Sequence, residues 1–255
     1  MPVERGNQMK VYHIVYEPTF KSVVLHFWTE CNLSCKGCFC NYETRDFGLI
    51  DDWAELVGNR APASPPGRFL SLEEVMRLIE GLDIDRAVFI GTEPSLDPEL
   101  PALAKALHER FGSYNIMLTN GVKLTSMEHI DEVIFSLKAV SEDIYRDYTG
   151  RSNKRTLENF LTVYRSGKKL QAECLLIPGY IDTQEIERIA RFVASVDRDI
   201  TLRIDGYFPV NDCPWLAATA ADVEEAARAA RKHLNTVNYL TASMERIGDK
   251  PVRVF

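Results

Sequence analysis

Apolar positions along the chain fall into short runs of period two that alternate with longer runs of period near 3.6, a pattern that predicts strands separated by helices. Val23 to Trp28 reads as a first strand, and an irregular excursion over 41–68, broken by Pro62, Pro65, Pro66 and Gly67, follows it. Ser71 with Glu74 three residues on is a capping-box signature that opens a helix to about Gly81. Ala87 to Ile90 is a second strand, and Asp97-Pro98 starts a helix from Glu99 to Phe111. Tyr114 to Thr119 is the third strand. A short helix near Ser126 to Asp131 leads to a fourth, Val133 to Lys138, and helices follow within Glu142 to Tyr148 and Thr156 to Ser166. Lys169 to Ile177 is the fifth strand, Asp182 and Glu185 cap a helix from Thr183 to Val196, and Ile200 to Asp205 is the sixth strand. An alanine-rich helix from Ala221 to Leu234 precedes an edge strand, Val237 to Leu240.

Six successive βα units imply parallel strands with right-handed crossovers. The expected fold class is therefore α/β, a partial (β/α)6 TIM-like barrel open on one side, with a short C-terminal helix-strand extension. The domain reading is an N-terminal segment over 1–22, the barrel over 23–210 with 41–68 as a substrate lid, and the extension over 211–255.

Alternation along each strand sorts side chains between helices and lumen. It turns Val23, Leu25 and Phe27 outward and Val24, His26 and Trp28 inward. In the third strand it turns Ile116 and Leu118 outward and Asn115, Met117 and Thr119 inward. Phe135 and Leu137 go out and Ser136 and Lys138 in; Gln171 and Glu173 face in, as do Thr201, Arg203 and Asp205. The deduced lumen is polar and carries both charge signs, which suits a zwitterionic ligand.

Composition bounds this picture without changing it. The chain has 255 residues, 45% hydrophobic and 26% charged, enough for one sizeable core. No apolar run of about 18 residues and no signal-peptide shape appear, so the expectation is a cytoplasmic protein with no membrane partner. A formal charge of −7 gives no broad basic footprint for nucleic acid.

Cysteine usage does change it. Cys31, Cys35, Cys38 and Cys40 crowd into ten residues, too tight for an ordinary disulfide framework. Three thiolates spaced C-x3-C-x2-C on one loop, Cys31, Cys35 and Cys38, can hold three irons of a 4Fe-4S cluster and leave the fourth iron free. The same triplet can be read as a zinc site with Cys40 or a histidine as the fourth ligand.

The loop after a first strand resembles that of the radical S-adenosylmethionine (SAM) superfamily. Ile90-Gly-Thr-Glu-Pro94 resembles its Gly-Gly-Glu-Pro motif, and Leu118-Thr-Asn-Gly121 its third-strand Thr-Asn-Gly element. Ser136-Leu-Lys-Ala139, Tyr148-Thr-Gly-Arg-Ser-Asn, Arg155-Thr-Leu-Glu-Asn and Leu176-Ile-Pro-Gly-Tyr180 are most similar to pyruvate formate-lyase activating enzymes. The resemblance implies a 4Fe-4S cluster on Cys31, Cys35 and Cys38, and SAM chelating the free iron through its amino and carboxylate groups. One electron from a donor such as ferredoxin or flavodoxin then gives methionine and a 5′-deoxyadenosyl radical that takes hydrogen from a small-molecule or protein substrate. By the same resemblance Glu93 accepts from the SAM amino group and Lys138 pairs with its carboxylate. Gly37 and Phe39 sit where contacts to adenine are usual, Pro178 and Gly179 shape the adenine pocket, and Gly91, Thr92, Asn120, Glu173 and Arg203 complete the cofactor-binding set.

Departures narrow the expectation. Thr92 replaces the second glycine of the Gly-Gly-Glu motif, and Gly37 stands where many members carry an aromatic. Leu118 and Ser136 occupy places where pyruvate formate-lyase activases have aspartates, and the Asp-Gly-Pro-Gly segment of glycyl-radical activases is absent from Met9 to Thr19. Activation of a glycyl-radical partner is thus the alternative to an unassigned substrate. Beyond the enzyme readings stand an iron–sulfur electron-transfer protein and a zinc-stabilised binding module.

Overall fold

The computed structural model describes residues 9–41, 49, 64–209, 213–241, 244–245 and 247–255. Most of the expected lid over 41–68 lies outside the described residues. Nine strands form one open sheet: β1 (Val11–Glu17), β2 (Ser22–Phe27), β3 (Arg86–Gly91), β4 (Tyr114–Thr119), β5 (Glu132–Ser136), β6 (Lys169–Leu176), β7 (Thr201–Gly206), β8 (Val237–Leu240) and β9 (Val252–Arg253). Their order is β8-β7-β6-β5-β4-β3-β2-β1-β9. From β2 to β8 every pairing is parallel. Only β1 and β9 run antiparallel, at one edge. The expected open, partial (β/α) barrel is therefore the fold, with the antiparallel ribbon β1 added where the sequence showed no element.

The helices are α1 (Leu72–Ile79), α2 (Leu100–Phe111), α3 (Glu142–Thr149), α4 (Lys154–Arg165), α5 (Thr183–Val196) and α6 (Ala220–Ala230). At α1 the capping box of Ser71 and Glu74 forms as the sequence predicts. The start of α2 differs: Leu100 is its first residue and the proline in its first turn is Pro101 rather than Pro98. At α5, Asp182 accepts from the amides of Gln184 and Glu185. Glu185 does not complete a capping box. Its fully buried carboxylate reaches across to accept from the amides of Val140 and Ser141 and the Ser141 hydroxyl, closing the entry to α3. No helix forms over Ser126–Asp131; the segment closes through the Ile130 amide on the Met127 carbonyl, and six residues offer too few bonds to offset helix nucleation.

Register places the core. Leu25, Phe89, Met117, Val133 and Leu170 are laddered partners on the helix-facing side, as are Phe135, Ala172, Leu202 and Val237. The sequence expectation holds for β2, β5, β6 and β7 and is inverted for β4. Asn115 points outward, where its amide donates to the carbonyls of Ala104 and His129 at 2.8 Å, and Met117 joins the helix-side core. Ile116 and Leu118 therefore face the lumen. The misreading follows from a buried polar side chain fully satisfied by backbone, which looks in sequence like a lumen residue. The lumen is consequently two-sided: Val24, Val88, Ile90, Ile116, Leu118 and Ile134 on β2 to β5, and Ser136, Gln171, Glu173, Arg203 and Asp205 on β5 to β7.

Candidate active site

The C-terminal ends of β2, β3 and β4 converge on the cysteine loop. The loop backbone is tied to the last turn of α3, with the Ser34 amide on the Thr149 carbonyl and the Lys36 amide on the Tyr148 carbonyl, both at 2.9 Å. Lys36 also pairs with Asp147 at 2.6 Å, on the exposed side. The segment Tyr148-Thr-Gly150 thus meets the loop it accompanies in the sequence.

None of the six cysteines is in a disulfide. Burial pushes the Cys35 thiol up to about 12, with Lys138 pulling it down and Cys38 and Cys31 pushing it up. Cys31 is raised mainly by burial as well, and feels Glu93, Cys38 and Lys138. Both thiols thus feel Cys38 and the Lys138 ammonium. Cys40 hydrogen-bonds Cys38, which with burial raises its pKa well above the usual thiol value, and its Sγ donates to the Gly91 carbonyl at 3.4 Å. Among the described residues no three His, Cys, Asp or Glu side chains are gathered tightly enough to hold a single metal ion. The donor chemistry, three thiols outside any disulfide on one anchored loop and within the influence of a cation, fits a multi-iron cluster bound through thiolates.

Glu93 is 1% exposed, and its carboxylate is engaged by protein donors. Oε1 accepts from the Ser95 amide (3.1 Å), the Ser95 hydroxyl (2.6 Å) and the Thr119 hydroxyl (2.7 Å); Oε2 accepts from the Asn120 amide (2.8 Å). Burial raises its pKa although all four donors pull it down. Glu93 is thus a post joining the loops after β3 and β4, with three donors on Oε1 and one on Oε2, which leaves Oε2 an acceptor position. Asn120 carries the tie onward, its Nδ2 donating to Asn32 Oδ1 at 2.8 Å and to Cys31 Sγ at 3.6 Å.

Glycine is required at two points of this frame. Gly91 has φ +128°, and a Cβ there would stand 2.2 Å from the Phe27 carbonyl oxygen. Gly121 has φ +71°, and a Cβ would stand 1.8 Å from the Phe135 ring. Thr92 fills its glycine-like place by turning its hydroxyl onto Thr29.

Across the lumen, Lys138 Nζ donates to Ser136 Oγ at 2.6 Å, and Ser136 Oγ donates to Glu173 Oε1 at 3.0 Å. Burial alone would lower the Lys138 pKa, but Cys35, Glu173, Cys38 and Tyr145 outweigh it and hold it above the ordinary value. Arg203 bridges Glu173 and Asp205, the latter at 3.0 and 3.1 Å. The structure thus brings Lys138, Glu173 and Arg203 into one wall.

Gly37 and the turn at Pro178-Gly179 lie on another side of the loop. A Cβ at Gly37 would meet Cys213 Sγ and the Tyr207 hydroxyl at 3.3 Å and Trp215 at 3.4 Å. Tyr180, next to Gly179, stacks on Trp215 with ring centroids 4.6 Å apart. Phe39 begins a short 3-10 turn over Phe39–Asn41. Sequence reasoning missed Thr29, Ser95, Asn32 and Trp215, and named Thr119 without its bond to Glu93. The parallel register Phe27↔Gly91 is the signal that could have paired Thr29 with the residues after Gly91.

The radical SAM superfamily model matches residues 25–193, which include the cysteine loop, Glu93, Asn120 and Lys138. The chain belongs to the radical SAM superfamily. It is accordingly an enzyme, of a family whose chemistry uses SAM and a 4Fe-4S cluster. A putative glycyl-radical enzyme activating enzyme of Methanocaldococcus jannaschii is 28% identical over 222 residues, covering 84% of this chain and 78% of the relative. An S-adenosylmethionine-dependent nucleotide dehydratase of Lacinutrix mariniflava is 30% identical over 142 residues, covering 51% of this chain but only 27% of its own length. The crystal structure of QueE from Escherichia coli shares the fold with a TM-score of 0.56 at 12% identity, covering 92% of this chain and 94% of that one. Family membership displaces the zinc-stabilised module and the electron-transfer protein as readings. No helix among the described residues is long and apolar enough to cross a membrane.

Proposed function

We propose that this enzyme cleaves SAM reductively at a 4Fe-4S cluster held by Cys31, Cys35 and Cys38. The observation that carries the reading is a backbone-anchored loop of three thiols, of which Cys31 is tied through Asn120 to the Glu93 post, with the Lys138 ammonium acting on Cys31 and Cys35. Cys31, Cys35 and Cys38 would hold the cluster, which would supply the one electron for reductive cleavage of SAM to methionine and a 5′-deoxyadenosyl radical able to take a substrate hydrogen. The chain's own residues bind and orient. Lys138 offers its ammonium to the SAM carboxylate, steadied by Ser136 and Glu173. Gly91 and Thr92 present backbone at the end of β3, and Asn120 presents its amide beside Cys31. Glu173 and Arg203 supply the polar wall toward the ribose. Gly37 and Phe39, with the turn at Pro178-Gly179, form the adenine side. The working division is a barrel over 23–210, a lid over 41–68 and a C-terminal extension over 211–255, with ferredoxin or flavodoxin as electron donor and the cytoplasm as location.

The substrate reading stays at the class of a protein or a small metabolite. Activation of a glycyl-radical partner is supported by the name of the M. jannaschii relative. Against it stands the absent Asp-Gly-Pro-Gly segment, whose stretch is the strand β1 paired to β2. The test is anaerobic reconstitution with iron and sulfide, reduction, and chromatography for 5′-deoxyadenosine. Wild type is expected to form it from SAM and Cys35→Ala to form none. Equal product from the two would overturn the cluster assignment.

A further inference from the structure

The end of β2 has to deliver Cys31 to its place, yet backbone pairing between β2 and β3 stops early. Its last bond there is the Thr92 amide on the Phe27 carbonyl at 3.0 Å. Two threonine side chains continue it. The Thr92 hydroxyl accepts from the Thr29 amide at 2.8 Å and donates to the Thr29 carbonyl at 2.8 Å, so one side chain satisfies both main-chain groups of one residue. Thr29 answers with its own hydroxyl, which donates to the Glu93 carbonyl at 2.8 Å. Thr29 is buried, so its amide and carbonyl would otherwise lose water without a partner. Two residues further on, Cys31 is met from the other side by the amides of Leu33 at 3.5 Å and Asn120 at 3.6 Å.

We infer that Thr92 and Thr29 form a side-chain latch that extends the β2–β3 pairing to the cysteine loop, making Thr92 a positioning residue for Cys31. Thr92 acts through Thr29. A glycine at that place, as the motif it resembles would carry, leaves the Thr29 amide and carbonyl without these partners. The latch also explains why Thr92 is accommodated: its hydroxyl replaces backbone bonds that the diverging strands no longer supply. Its role for Cys31 rests on the proposed function, but the ordering of residues 29–38 is a property of the polypeptide alone.

The test uses the full chain with Thr92→Val, which keeps the shape and removes the hydroxyl, and Thr92→Ser, which restores it. In the iron-free protein, hydrogen exchange read by mass spectrometry over residues 28–38 is expected to rise about tenfold in Thr92→Val, for the loss of two hydrogen bonds, and to return to within about threefold of wild type in Thr92→Ser. After anaerobic reconstitution, Thr92→Val is expected to hold less iron per chain and to show an altered electron paramagnetic resonance spectrum of the reduced cluster, again rescued by serine. Should Thr92→Val fail to fold, Thr92→Ala removes the same hydroxyl and gives the same readings, while Thr29→Val removes only the bond to the Glu93 carbonyl and is expected to raise exchange less. Unchanged exchange in the hydroxyl-free variants, or failure of serine to rescue, overturns the latch. If wild type takes up no iron while the exchange pattern appears as expected, the latch stands and the cluster reading falls.

Discussion

Two stretches of one rim face the lumen with different chemistry. At the ends of β2 to β4 the side chains are largely neutral, and the buried Glu93 is met by four protein donors. On β5 to β7 four charges, Lys138, Glu173, Arg203 and Asp205, neutralise one another in a half-buried wall. A carboxylate bonded to four donors on two loops rigidifies what it holds. A balanced wall of ions can exchange partners when a zwitterion enters. The first stretch is therefore a frame for the cysteine loop, and the second a surface that a ligand can use. Frame substitutions should cost stability heavily, and wall substitutions should show themselves through charge and pH.

The largest effect is expected at Gly121. An alanine there forces a left-handed residue and drives Cβ to 1.8 Å from the ring of Phe135, which is held edge-on by Phe160 at 5.2 Å. Gly121→Ala should lower the unfolding free energy by about 3–5 kcal/mol, seen as a lower urea midpoint at unchanged slope. A loss below about 1 kcal/mol would mean the frame is soft.

Next comes Glu93→Gln. Either orientation of the new amide turns an NH2 group against a backbone N–H, that of Asn120 on one side or of Ser95 on the other. Hydroxyls can rotate away from such a clash and backbone amides cannot, so about 1–3 kcal/mol is expected in the same assay. Near-neutral stability with lost SAM binding would instead return Glu93 to the ligand-facing wall.

How much of this division is visible in sequence depends on the reach of each signal. The cysteine triplet and the Ser71–Glu74 box are local, so spacing alone reveals them. Parallel order follows from the alternation of periods, and β6 and β7 reveal their faces because Gln171, Glu173, Arg203 and Asp205 alternate with apolar residues. At β4 the same rule misleads, since Asn115 is polar for the sake of two backbone carbonyls behind the sheet. β1 escapes because no helix follows it and its partner is the next strand, an antiparallel ribbon in a chain read as βα units. The Thr29–Thr92 contact spans 63 residues, and Trp215 reaches Gly37 from far along the chain. No pattern within a short window contains either.

The smallest effect is expected in the wall, and its sign distinguishes the two regions. Burial and the Glu173 charge raise the pKa of Asp205 to about 6, outweighing Arg203 and Lys138, which pull it down. The folded protein then binds this proton more tightly than the unfolded chain does. Stability from protonated Asp205 is fully present below about pH 4 and is lost as pH rises through about 6. In Asp205→Asn the side chain resembles the protonated carboxyl at every pH and loses nothing over that window. Wild-type stability relative to this variant should therefore fall by about 1–2 kcal/mol between pH 4 and 7, half of the full shift because the group is partly exposed. Urea unfolding of both proteins across that range measures it. A flat difference would mean that Arg203 fully compensates Asp205, and the wall would then be held as firmly as the frame. A falling one means that an ion pair in the lumen sits under strain that a cationic or zwitterionic ligand can relieve.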